Sequence, residues 1–164
     1  MATITFKKGD EYLAKIAKLE ALTRDEVCGK AIYGAAEIVT DEIRNQLEQV
    51  PTDDVTDTFW AQRIGPQTAQ KKGLEKSLGI SHMQDDGSGF LNVKVGFDGY
   101  NKIKTNRWPK GQPNQMVARS VARGTSFMVA HDFVKTAMRK VTRRAQEYMK
   151  ESVDASIKKI MEKG

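Results

Sequence analysis

The stretch GTSFMVAHDF, running from Gly124 to Phe133, decides how the rest of the chain is read. Gly124 can adopt positive φ without penalty and so ends whatever precedes it. A compact turn follows and feeds the longest apolar stripe in the sequence. Phe133 or Val134, Met138, Val141, Ala145, Tyr148, Val153, Ile157 and Ile160 recur at helical spacing, which predicts a helix over 132–162. Asp132 is placed to cap it or to face its N-terminal dipole. Roughly 30 residues at 1.5 Å each reach about 45 Å. That is longer than a domain of this size requires, so the last turns are expected to project or to pack on a neighbouring subunit.

Upstream, a second long helix is written as clearly. Thr23-Arg24-Asp25-Glu26 has the spacing of a capping box, and Cys28, Ile32, Ala35, Val39, Ile43 and Leu47 continue one apolar stripe until Val50 and Pro51 stop it. This predicts a helix over about 24–49. Gly29, Ala31, Gly34, Ala35 and Ala36 leave room for close packing. Between the helices, Leu78, Ile80 and His82 alternate with small residues, Asp85 to Gly89 form a turn, and Leu91, Val93, Val95 and Phe97 alternate again. That pattern is an antiparallel hairpin over 76–98 with one buried face, His82 lying at its edge. Thr3 to Phe6 suits an edge strand, and Gly9 and Asp10 open a short helical segment carrying Tyr12, Leu13, Ile16 and Leu19. The fold class is therefore α+β: a small antiparallel sheet flanked by two long helices, in a single domain over 1–164.

Two stretches lack either period and read as loop insertions, 51–72 and 101–115. The first carries Asp53, Asp54 and Asp57 before Phe59 and Trp60. Its aspartates lack the glycine and glutamate placement of a calcium loop, which leaves a solvated acidic loop whose aromatics are core anchors or subunit contacts. The second is polar and basic, and is expected to be an extended arm. Met116 to Arg123 fits a helix or a strand equally well.

Composition narrows the function. A hydrophobic fraction of 39% and a charged fraction of 29% suit a soluble globular chain. No apolar run is long enough to span a membrane. The N-terminus reaches Lys7 and Lys8 with no apolar signal segment, so synthesis in the cytoplasm is expected. Cys28 is the only cysteine and reads as a core residue, while His82 and His131 are too far apart for a typical zinc spacing. No phosphate loop, nucleophile elbow or catalytic set is present. Neither enzymatic activity nor a cofactor or metal is expected.

Charge is the remaining signal. From Asn101 to Arg144 stand eleven bases, Lys102, Lys104, Arg107, Lys110, Arg119, Arg123, Lys135, Arg139, Lys140, Arg143 and Arg144, against one acid, Asp132. This segment holds a charge of +10 and leaves −4 elsewhere in a chain whose total is +6. Such asymmetry suits an anionic partner or a complementary neighbour.

The order of ITFKKGDEYL, the long helix from Thr23, GLEKSLGI at Gly73 to Ile80, VKVGF at Val93 to Phe97 and GTSFMVAHDF resembles that of a bacteriophage family. It is the HK-type gene-product-ten-like family of neck and tail-completion proteins from long-tailed phages and prophages. The resemblance implies a non-enzymatic virion subunit of α+β fold. It would form a homo-oligomeric ring, with a hexamer the expected form, at the head-to-tail junction between the connector and the tail tube. Neck, connector, tail-terminator or tail-tube proteins would be its neighbours, with no membrane partner. Gly124, Thr125, Ala130, His131 and Phe133 carry over as structural motif positions near subunit contacts. The chain departs from the family at Ala122 and Arg123, where relatives carry a glutamate and an aromatic, and at Asp132, where they favour proline. The basic residues would face DNA in the channel or a partner, and Asp53, Asp54, Asp57, Phe59 and Trp60 would form a subunit-contact loop. The alternatives are a tail-terminator ring protein of the same particle and a small basic nucleic-acid-binding protein.

Overall fold

The computed structural model describes residues 2–5, 21–55 and 62–163. The short helical segment expected from Gly9 to Leu19, and Asp57, Phe59 and Trp60, lie outside them. Among the described residues the chain is α+β. Its elements run β1 (Ala2–Thr5), α1 (Ala21–Glu48), α2 (Thr68–Ser77), β2 (Leu78–Ile80), β3 (Gln84–Asp85), β4 (Leu91–Phe97), α3 (Asn114–Arg123) and α4 (Phe133–Lys163).

The two long helices form as their stripes predict. Cys28, Ile32, Ala35, Val39, Ile43 and Leu47 are all buried on α1. Thr23 lies inside α1, so it is not the residue that caps the helix. On α4 the buried row is Phe133, Ala137, Val141, Ala145, Met149 and Val153, a step of four residues. Met149 takes the inward place expected for Tyr148, whose ring lies over Gly34 of α1, where a Cβ would collide with it. That contact and the ion pair from Lys140 Nζ to Glu42 Oε1 at 3.3 Å show that the helices run antiparallel. The far turns of α4 therefore do not project: Val153 is fully buried, and Ile157 and Ile160 still pack on the core of this chain. Apolar area withdrawn from water along this seam is the main stabilising term for two helices of such length.

β4 is the centre of the sheet, with β1 antiparallel on one side and β2 and β3 antiparallel on the other. Val93 and Val95 point to α1 and are fully buried. The expected edge strand at the N-terminus is present, pairing Ala2 with Val95 and Thr5 with Asn92. The hairpin is present too, but its first strand is broken. β2 pairs Ile80 with Val95, whereas β3 pairs Gln84 with Asn92, so one extra residue enters between them. A one-residue slip reverses the faces. His82, expected at the strand edge on the face of Leu78 and Ile80, is exposed, and Met83 is the half-buried residue packed on the core. Side chains replace the missing ladder bonds: Met83 N donates to Tyr33 Oη at 2.8 Å, and Lys94 N donates to Ser81 Oγ at 2.9 Å.

The expected insertions are shorter and better tied than their sequences suggest. The first ends at Gln67, because 68–77 is helix α2, whose first turn is closed by Gln67 N donating to Gln70 Oε1 at 3.0 Å. Lys71 Nζ donates to the carbonyls of Glu48 and Val50, both at 2.8 Å, and so satisfies orphan acceptors at the end of α1. The second is no extended arm. Asn101 N donates to Gln112 O at 2.9 Å, Gln112 N to Ile103 O at 3.0 Å, and Asn114 N to Gly99 O at 3.0 Å, which fold it back on itself. Residues 114–123 form a helix, which settles the choice left open for Met116 to Arg123.

Candidate interaction site

The site is built at the turn between α3 and α4. Gly124 ends α3 at φ +74°, where an added Cβ would stand 3.0 Å from Met128 O and from Ala130 N. Only glycine fits both that φ and that space. Thr125 N donates to Met128 O at 2.9 Å, and Phe127 N donates to Thr125 Oγ1 at 3.3 Å, closing the turn. The segment after Val55 then locks onto it. Arg63 N donates to Phe127 O at 2.8 Å and Val129 N to Arg63 O at 2.9 Å, a short parallel ladder. Gln62 Nε2 donates to Ser126 O at 3.3 Å, and His131 Nε2 donates to Ile64 O. His131 N donates to Val121 O at 2.8 Å, tying the turn to α3.

The polar groups of the turn are thus spent on its own scaffold, and apolar side chains are left in solvent. Phe127 is 63% exposed, Ile64 56%, Met116 45% and Val129 41%. Beside them a groove of about 170 Å³ runs between Trp108, Met116, Val121 and Phe127. Adjacent exposed apolar groups of this size mark interaction surfaces on soluble proteins. Sequence reasoning missed all four: the turn and the 62–64 segment have no period that marks which side chains face out, and Met116 lies in a stretch that fitted helix or strand.

Of the motif positions, Gly124, Thr125, Ala130 and His131 meet in the turn. Phe133 points the other way, buried with its ring edge-on to Phe97 at 5.9 Å and 75°. His131 acts as a hydrogen-bonding tether. Asp53 and Asp54 stay at the surface, as expected of an acidic loop, but their carboxylates are engaged by their own chain. Asp53 accepts the amides of Val55 and Ile64, both at 3.1 Å, and Asp54 accepts Thr68 N at 2.8 Å and Thr68 Oγ1 at 2.5 Å. The Thr68 hydroxyl, with its amide, holds the Asp54 carboxyl below the usual aspartate value. Carboxylates engaged in this way hold their own chain together.

The basic residues fall into three groups. Lys102, Lys104, Arg107 and Lys110 are exposed on the 101–113 loop, with the Arg107 guanidinium 5.7 Å from the centre of the Trp108 ring. Arg119 and Arg123 lie one turn apart on the exposed side of α3. On α4, Lys135, Arg139 and Arg143 share one row, and Lys140 and Arg144 another. Two of these five are partnered: Lys140 with Glu42, and Arg143 with Glu147 at 2.8 Å, which raises the Arg143 pKa. Among the described residues Arg119, Arg123, Lys135, Arg139 and Arg144 have no carboxylate within ion-pair distance.

No cluster of three or more metal-ligating side chains occurs among the described residues, and none of their helices is long and apolar enough to cross a membrane. No protein-family model, curated protein or solved structure matches the chain.

Proposed function

We propose that the chain is a non-enzymatic structural subunit of a bacteriophage neck, a tail-completion protein that forms a ring at the head-to-tail junction. The observation that carries this reading is the motif turn. Its backbone is tethered on both sides by 62–64 and α3, while Phe127, Val129, Ile64 and Met116 are held in solvent, and Arg123, with no carboxylate partner among the described residues, borders a hollow with Val129. Rigid presentation of an apolar patch with a charged margin is what a docking subunit requires. The α+β architecture agrees with the motif resemblance, though a fold by itself hosts many functions.

Averaged images of the purified particle test the reading directly. A ring at the neck into which this fold docks is the expected result, and a neck built without this chain would overturn it. Arg119, Arg123, Lys135 and Arg139, without a carboxylate partner among the described residues, favour one second reading, a small protein that binds duplex DNA through phosphates. That reading requires retention on DNA that weakens steeply as salt rises.

A further inference from the structure

A second groove, of about 380 Å³, lies where α3, β4 and the first turn of α4 meet. Val95, Phe97, Ala118 and Val134 line it with apolar surface, and Arg119 and Arg123 line it with two guanidiniums that have no acidic partner among the described residues. The opposite end of β4 carries the complementary features. The hairpin tip at the end of β3 presents Asp85, Asp86 and Phe90, which is 39% exposed. The tip is stiff: Asp85 Oδ1 accepts Gly87 N at 2.9 Å and Gly89 N at 3.2 Å, and Asp86 Oδ1 accepts Ser88 N at 3.0 Å. The Ser88 hydroxyl and amide lower the Asp86 pKa, so the tip is anionic at neutral pH.

Groove and tip cannot meet within one molecule. From Leu91 to Phe97 the strand advances about 20 Å at roughly 3.3 Å per residue, and β4 holds the two at its opposite ends. We infer that the hairpin tip of one copy seats in the Arg119/Arg123 groove of a second copy. Phe90 lies on the apolar floor, and Asp85 and Asp86 meet the two guanidiniums. The aromatic anchor supplies most of the affinity, and the charges set register and exclude wrong partners. Because the two surfaces differ, the contact is head-to-tail and repeats from copy to copy, closing where the rotation allows. Closure into a ring rests on the function proposed above; the pairwise contact does not.

Cross-linking of the full-length protein tests this. Gln84→Cys beside the tip and Gln115→Cys at the groove leave every proposed contact residue and the Ser88–Asp86 bond in place, and the native Cys28 is buried. Treated together with a short bis-maleimide, the two variants should yield a mixed dimer in about tenfold excess over either like dimer, since only the mixed pair is held at high effective concentration. Adding Phe90→Ala should lower that yield about tenfold. Asp85→Asn with Asp86→Asn, which keeps an oxygen for the tip amides, should lower it about threefold, in a salt-dependent way. Mixed dimer no more abundant than like dimers overturns the inference. So does a groove whose arginines are needed for duplex DNA retention while the tip substitutions change nothing. A particle whose neck lacks this chain would sink the proposed function and leave the cross-link intact.

Discussion

Residues 51–67 and 101–113 look alike as sequence, both polar, both without a helical or strand period, yet the described residues of the first, 51–55 and 62–67, are held by means opposite to those of the second. The first is tied at the surface by charged side chains and short backbone ladders: Asp53 to Ile64, Asp54 to Thr68, and Arg63 to the motif turn. The second is closed from inside by neutral amides. Asn101, nearly fully buried, accepts Ile103 N at 2.9 Å and Gln112 N at 3.2 Å through Oδ1, and Gln112 Oε1 accepts Gln70 Nε2 at 2.7 Å. Asn114, also buried, donates to Asp98 O at 2.9 Å. Its Oδ1 has no hydrogen-bond partner among the described residues and lies against Gly73, where a Cβ would stand 2.9 Å from it and 2.8 Å from Asn101 Cβ. Surface charge tolerates loss because water replaces it, whereas a buried amide has no substitute.

The contrast is sharpest in the cost of removing one side chain. Asn101→Ala strands the Ile103 amide, takes one of two acceptors from Gln112 N and leaves a small cavity, so it should lower unfolding free energy by about 2 kcal/mol, read from urea denaturation. Lys102→Ala beside it should change it by less than about 0.5 kcal/mol. A loss below about 1 kcal/mol for Asn101→Ala would mean that its amide does not close the loop. His131→Ala, which releases one tether between the motif turn and Ile64, should cost about 1 kcal/mol. Hydrogen exchange at the amides of Arg63 and Val129 should quicken while the seam between α1 and α4 stays protected. Equal quickening in α1 would show that the tether supports the whole fold and would break the distinction.

The same contrast explains how much the sequence disclosed. The long helices were legible because Cys28 to Leu47 and Phe133 to Ile160 repeat a helical period over many turns. Even there Tyr148 and Met149 exchanged places, since the seam advances by fours and its drift depends on the partner helix. The hairpin was legible from its alternation, but the slip at 81–83 was not, because alternation looks normal on either side of one inserted residue. Helix α2 was missed since Leu74 is its one fully buried side chain, and its start depends on Gln70 and on Asp54 fourteen residues earlier. At the candidate site, the helix-ending role of Gly124 could be read from local chemistry, and His131 as a structural position only from the resemblance. The exposure of Phe127 could not, and neither could the pairing of Lys140 with Glu42, because both follow from how distant segments lie together.

Acid gives the smallest and most selective test. Asp54 has its carboxyl held below its ordinary value of 3.8 by the Thr68 hydroxyl and amide. A group depressed in the folded state contributes stability that is complete above its unfolded value and is lost as pH falls through the lower folded value. The link from Asp54 to α2 should therefore be unchanged from neutral pH down to about 4 and should loosen below that. The amides around Asn101 involve no titrating group and should not respond over the same range. Hydrogen exchange at Thr68 N, compared with Ile103 N and Gln112 N between pH 5 and about 3 and corrected for intrinsic rates, separates the two. Asp54→Asn should remove the acid response at Thr68, because an amide cannot titrate. If the response survives that substitution, the bond from Thr68 N to Asp54 Oδ1 is not what acid loosens, and the contrast with the neutral amides fails at this link.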